Sequence, residues 1–443
     1  VWVGVRQWRR LARWSGTLLQ LAAGVSHGLA DDAIGRGFPG GDYLGGVVLA
    51  AAGVASGYWL WQGRARLGRA EGVLEPLLAG WGLLWWLGAS LAEIHRVLPR
   101  LEVGAVLVLV TITALVARLA REQRDWPLLR WPVRALGPAL LVILGLQVLD
   151  GELRPLVDGG AIGWPLAWVI YLGLLHRREH HAPVGLPGRW SHALGLWLLA
   201  WLVAAELAGQ LTRLAPAALW GEVLWGLLPA LLLLVLTRGE RLGWPLGRHA
   251  PAYQGLAAGG LLVFLGGWLL TANLLLSGHP ATPLPYVPLL HPLDGVLVLG
   301  LGVLYHWLLV LGGLPVADRR VRFWWTVAAF WVLNGMLIRA LHHWAGVDLS
   351  AAGLWSATLA QVAFTLLWAV SGLLAMLFGS LRQARRPWLA GAGLMAVVVA
   401  KLFVVDLAAT GTLARIVGFL GVGVLLLVIG YFSPVPPRDD PAA

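Results

Sequence analysis

Runs of about twenty apolar residues recur along almost the whole chain, and that is the length an α-helix needs to cross the hydrocarbon of a bilayer. Lipid offers peptide groups no hydrogen-bond partner, so each run must satisfy its backbone internally, as a helix does. Strands of a membrane barrel would alternate apolar and polar residues, whereas these runs are apolar all round. The sequence therefore predicts an all-α, polytopic bundle of transmembrane helices. Composition agrees: 12% of the 443 residues are charged, about half the share of a soluble protein, and the mean hydropathy is +0.74.

The runs mark fourteen spans, at roughly 14–30, 43–62, 73–92, 101–117, 135–149, 161–175, 190–208, 217–237, 254–276, 293–314, 321–341, 355–378, 388–407 and 411–432. Short connections join them, so residues 1–443 read as one integral membrane domain, with 433–443 as a disordered cytoplasmic tail. The chain begins at Val1 rather than Met, which predicts a further N-terminal region ahead of it.

Arginine orients the array, because cytoplasmic connections retain positive charge. One set of alternate connections holds twenty-five arginines; the other holds six, namely Arg36, Arg96, Arg100, Arg154, Arg213 and Arg339. Both termini are thus expected in the cytoplasm of a bacterial inner membrane. Thirteen carboxylates fall on the outer side or outer helix ends, among them Asp31, Asp32, Asp42, Glu206, Asp294, Asp348 and Asp406. The net charge of +11 is therefore a signal of orientation and of anionic lipid, with no nucleic-acid partner implied.

The arginine-rich connections recur at a rough period, opening at Arg64, Arg121, Arg177, Arg238, Arg319 and Arg382, and several carry Trp-Pro pairs. A repeated helical hairpin gives this spacing, and so does any bundle with short loops. The 27 tryptophans lie mostly near helix ends, where interfacial belts form, and the 58 glycines suit close helix contacts.

Zero cysteines exclude disulfides, thiolate metal sites and a cysteine nucleophile. No HExxH, GxSxG, Walker A or dinucleotide-binding glycine motif is present, so no metal and no cofactor is expected. Ionisable residues inside spans are costly and usually face the bundle interior or a water-filled cavity, so they are the functional candidates.

Four groups qualify, all toward the outer face. In "VVVAKLFVVDLAATGTLARIVGFLGVG", residues 397–423, Lys401 is the protein's sole lysine, and Asp406 and Arg415 are placed to pair across a hairpin. Lys401 points elsewhere on its helix and needs another partner, such as a carboxylate of a neighbouring helix. In "NGMLIRALHHWAGVD", residues 334–348, Arg339, His342 and His343 share one helix face. His343 and Asp348 also make a His-x4-Asp spacing like that of glycerolipid acyltransferases, where a carboxylate orients a histidine base. The outer connection 277–294 is dense in proline, holds His279 and His291 near Asp294, and can lie across a cavity mouth or serve as a spacer. The acidic pair Asp31 and Asp32 resembles the paired carboxylates of polyprenyl-dependent glycosyltransferases, and acidic outer loops also follow from charge asymmetry alone.

The C-terminal third resembles the bacterial predicted membrane proteins grouped as domain of unknown function 2339. The resemblance is carried by "HPLD" at 291–294, "NGMLIRALHH" at 334–343, "TLAQVAFTLLWAVSGLLAMLFG" at 358–379 and "KLFVVDLAATGTLARIVGFLGVGVLLLVIGYFSP" at 401–434. Upstream the likeness lies in hydropathy and loop style. It implies an integral inner-membrane protein of many helices, in a family whose members are typically longer, with a polar N-terminal region. It implies no reaction, and so no catalytic residues to carry over.

Three functional readings follow. A transporter or flippase for an envelope precursor with an anionic group would use Arg339, His342, Lys401, Asp406, Arg415 and Glu206 as binding residues. A membrane-embedded acyl- or glycosyltransferase on lipid-linked or glycan substrates would use His343 and Asp348, or Asp31 and Asp32, as its catalytic groups. A non-catalytic scaffold would have every charge paired locally.

Overall fold

The computed structural model describes residues 1–29, 39–151, 154–179, 185–215, 219–277, 285–312 and 319–406. Asp31, Asp32, His279, Arg415, the span expected at 411–432 and the tail 433–443 lie outside the described residues, as does the side chain of Asp406.

Fifteen α-helices run in chain order among the described residues, with no β-strand. They are α1 (Trp2–Arg6), α2 (Arg10–Leu29), α3 (Gly41–Gln62), α4 (Leu74–Val97), α5 (Glu102–Arg124), α6 (Arg130–Leu149), α7 (Gly160–Glu179) and α8 (Leu186–Leu214). The rest are α9 (Trp220–Leu236), α10 (Ala258–Leu275), α11 (Pro292–Gly312), α12 (Arg319–Ala345), α13 (Ala351–Ser356), α14 (Thr358–Leu381) and α15 (Arg385–Lys401). A π-helical turn, Pro251–Ala257, leads into α10, and another, Leu402–Asp406, continues α15.

Each of the first thirteen expected spans coincides with one of these helices. Ten helical stretches are long and apolar enough to cross a bilayer. Of the other three, α9 has 17 residues, while α2 is diluted by Arg10, Arg13, Gln20 and His27, and α7 ends in His-Arg-Arg-Glu. The count of fourteen is therefore not reached among the described residues. Between 17% and 44% of each apolar window is buried, which leaves most of the greasy surface for lipid.

The chain forms two compact units: residues 1–216 with 228–264, and residues 217–227 with 265–443. In the first, Leu107, Leu140, Leu144, Trp164, Ala167 and Leu198 of α5 to α8 form one fully buried cluster. Beside it α3 and α4 meet backbone to backbone, and a Cβ on Gly53 would lie 2.7 Å from the backbone of Gly82. Between lipid-embedded helices such packing replaces the hydrophobic effect as the source of association. The N-terminal end is tied by a second device: Arg13 of α2 grips both oxygens of Glu71, Nε donating to Oε1 at 2.9 Å and Nη2 to Oε1 at 2.7 Å and Oε2 at 2.9 Å, while its Nη1 donates to the Gly4 carbonyl. In the second unit Met376, Met395 and Val398 join α14 to α15. Leu341, Val347 and Ala360 form a further cluster, with Leu337 of α12 and Phe364 of α14 packed against it.

Overpacking a tight helix contact costs about 1–3 kcal/mol. Gly53→Leu should therefore lower the thermal midpoint of the detergent-solubilised protein, whereas Gly80→Leu, with nothing within 4 Å of its Cβ, should leave it unchanged.

Candidate functional site

Three polar residues of the second unit stand at one level because of where their helices end. Asn273 lies near the C-terminal end of α10, Asp294 in the first turn of α11, and Arg339 near the C-terminal end of α12. The positive end of a helix dipole favours a carboxylate, so Asp294 sits where its own helix prefers it.

The two ions are fully buried, Asp294 at 0% and Arg339 at 1% exposure. Arg339 Nη2 donates to Asp294 Oδ1 at 2.8 Å and Nε to the same oxygen at 3.1 Å. Its remaining protons are taken by Asn273: Nη1 and Nη2 lie 3.3 and 3.2 Å from Oδ1, and Nη1 lies 3.4 Å from the Asn273 carbonyl oxygen. The Asn273 amide is turned this way because its Nδ2 donates to the Trp331 carbonyl at 3.2 Å. Gly335 leaves room for it, since a Cβ there would run into the Asn273 amide. Asp294 Oδ2 accepts the Tyr286 hydroxyl at 2.9 Å and the Leu289 N–H at 3.3 Å. A buried pair repays its desolvation only when the leftover donors and acceptors are also met, and here they are.

Tyr286 links this pair to the histidines. Its ring stacks on His343, with 4.9 Å between centroids and 19° between planes, and lies 5.0 Å from His291. Trp344 Nε1 donates to the Tyr286 carbonyl at 3.0 Å, fixing the connection over the pair. Burial, and then the Asp294 charge, raise the Tyr286 pKa, so the phenol stays protonated and donates. A carbonyl only accepts, so the ring nitrogens facing one carry protons: His343 Nε2 donates to Ser277 at 2.9 Å and His342 Nδ1 to Val347 at 2.9 Å.

The other candidates are placed as follows. Asp348 turns to Ser350, whose hydroxyl donates to Oδ2 at 2.6 Å and whose N–H donates to Oδ1, and both bonds lower the Asp348 pKa. Ser350 in turn caps α13 through the Gly353 N–H. The hydrogen bonds of His343 and Asp348 thus go to different partners. Lys401 Nζ donates to Thr365 Oγ1 at 2.7 Å and to the Gln361 carbonyl at 3.1 Å, both on α14, which also bonds α12 through Trp368 Nε1 and Asn334 Oδ1. Glu206 belongs to the first unit, where it accepts from the Leu156 N–H at 3.0 Å and from Gln210 Nε2 at 2.8 Å. Among the described residues no three His, Cys, Asp or Glu side chains are grouped to hold a metal ion.

Asn273 and Tyr286 are not among the residues singled out from the sequence, and Asp294 figures there as an outer carboxylate, within "HPLD" and beside two histidines, with no link to Arg339. The one available signal was Arg339 itself, an intramembrane cation that requires an anion. The pairing joins positions 45 residues apart, which no local pattern records.

A family model described as "Predicted membrane protein (DUF2339)" matches residues 1–436, well beyond the C-terminal third. No curated protein and no solved structure matches the chain.

Removing one member of a buried ion pair costs about 3–5 kcal/mol, because the other ion is left uncompensated. Asp294→Asn should accordingly lower the thermal midpoint more than Tyr286→Phe, which removes a single donor and costs about 1–3 kcal/mol.

Proposed function

The chain belongs to the DUF2339 family of predicted membrane proteins, and from that premise we propose that it is a transporter or flippase that passes an envelope precursor bearing an anionic group across the bilayer. The observation that supports this reading is Arg339, a guanidinium carried on a helix long and apolar enough to cross a bilayer and fully withdrawn from solvent. Such a residue marks a substrate or ion pathway by default. Asp294 is the resting partner; a phosphate or carboxylate of the substrate competes with it for the same planar fork. His342 and His343 on the same helix, and Lys401 on α15, are the further groups assigned to the anion. A lipid-linked substrate fits a protein whose helices expose long apolar faces to the bilayer.

A scaffold is the competing reading, and one observation favours it: Arg339 and Arg13 both have their charge closed by a local carboxylate. Proteoliposomes separate the two. Head-group-labelled phosphatidylglycerol and a labelled polyprenyl phosphate are offered in the inner leaflet, with phosphatidylcholine as reference. The transport reading expects the anionic probes to cross faster than in protein-free vesicles, and faster than phosphatidylcholine. The neutralised variant Arg339→Met/Asp294→Leu, which leaves no orphan ion, should slow them at least about tenfold. Rates equal to those of protein-free vesicles, or equal for all three lipids, sink the transport reading and leave the scaffold.

The same reading sets the protein in a bacterial inner membrane with its arginine-rich connections and both termini in the cytoplasm. The natural absence of cysteine makes this easy to check. Leu98→Cys, between α4 and α5, should react with an impermeant maleimide in intact spheroplasts, and Gly243→Cys, between α9 and α10, only after lysis. The reverse order of labelling would contradict it.

A further inference from the structure

In the first unit the ends of α5, α6 and α7 border a half-open cleft of about 470 Å³ whose lining includes Arg118, Arg121, Arg130, Arg134 and Arg178. Arginines in these connections are expected from orientation alone; their convergence on one cleft is not. The volume is that of a small-molecule site. Val133 and Leu174 supply the apolar part of the lining, and among the described residues no carboxylate lines it.

The charges are only partly met. Arg118 pairs with Glu122 one turn along α5, Nη1 to Oε1 2.9 Å. Arg124, on the same helix end, turns instead to Tyr58, donating to its hydroxyl at 3.5 Å. Arg121, Arg130, Arg134 and Arg178 have no ion pair among the described residues, and Arg134 stands in the field of the other three. Arg130 aggravates the repulsion by its place in the first turn of α6, the end where the helix dipole repels cations, and Arg134 follows it one turn later. Four like charges so arranged are relieved by one occupant class, an anion, and guanidinium forks match phosphate oxygens in pairs. α5 and α6 are both long and apolar enough to cross a bilayer, and their arginines lie toward the ends of those stretches, where a span would meet lipid headgroups.

We propose that this cleft binds a phosphate-bearing anion, with Arg121, Arg130, Arg134 and Arg178 as its ligands. The phosphate comes either from the headgroup of an anionic lipid or from a soluble phosphate compound. The site stands on the first unit alone and does not require the transport reading.

The full chain in phosphatidylcholine nanodiscs is titrated with short-chain phosphatidic acid in one arm and with inorganic pyrophosphate in the other, following binding and thermal midpoint. At least one probe should bind the wild-type protein and raise its midpoint. Arg121→Gln/Arg134→Gln/Arg178→Gln should weaken that binding at least about tenfold. The same charge removed elsewhere in the unit, Arg64→Gln/Arg189→Gln/Arg241→Gln, should weaken it less than about threefold, since screened charges act weakly at a distance. Arg121→Lys/Arg134→Lys/Arg178→Lys keeps the charge and loses the forks; it should fall between the two, and it serves if the glutamine variant does not fold. Binding of both probes assigns a phosphate site open to soluble compounds, and binding of the lipid alone assigns a headgroup site. Equal losses in the site and control variants, wild-type affinity in the site variants, or no binding of either probe overturns the proposal.

Discussion

A peptide group in hydrocarbon has no water to turn to, and every level of this structure answers to that constraint. It makes the apolar runs helices, and it lets those helices approach closely, as at Gly53 and Gly82, where main chains rather than large side chains meet. The same scarcity of partners governs charge. An ion placed among the helices must bring its complement, and Arg339 brings Asp294, Asn273 and, through the carboxylate, Tyr286. The arrangement is a closed set in which each donor has an acceptor, and closure is what permits an arginine at that depth.

Two styles of charge handling coexist. Arg13 with Glu71 and Arg339 with Asp294 are closed pairs, each buried and each satisfied by further hydrogen bonds. Arg118, Arg121, Arg130, Arg134 and Arg178, at the ends of α5, α6 and α7, are open: they gather around a cleft, and among the described residues only Arg118 has a carboxylate partner. Closed pairs hold helices in register; an open cluster is repulsive until something fills it. A bound anion and a mobile substrate make different demands, and the family membership carries no reaction that would favour either.

Hydropathy located the helices because it reports the hydrocarbon slab, and it misjudged their ends for the same reason. The span expected at 101–117 continues to Arg124, and that expected at 190–208 runs from Leu186 to Leu214. In both, hydrogen-bonded helix persists into the interface, where arginine and proline interrupt the apolar signal but not the backbone. Arg339, His343, Asp348 and Lys401 were visible as polar residues in or beside apolar helices. Their partners were not. Asp294 lies 45 residues from Arg339, and Lys401 meets a threonine and a backbone carbonyl, groups that leave no mark in a sequence. Tyr286 sits in a proline-rich connection whose composition speaks of stiffness, and nothing in it signals a phenol aimed at a carboxylate.

The most direct test of the account is the coupling between Arg339 and Asp294, obtained from a double-mutant cycle on thermal stability in detergent with Arg339→Met, Asp294→Leu and both together. Ions that compensate each other at full burial should give single variants far less stable than the double, with a coupling of about 2 kcal/mol or more. Additive losses, with the double variant the least stable of the three, would mean that the two charges are not partners, and the intramembrane site built on them would fall.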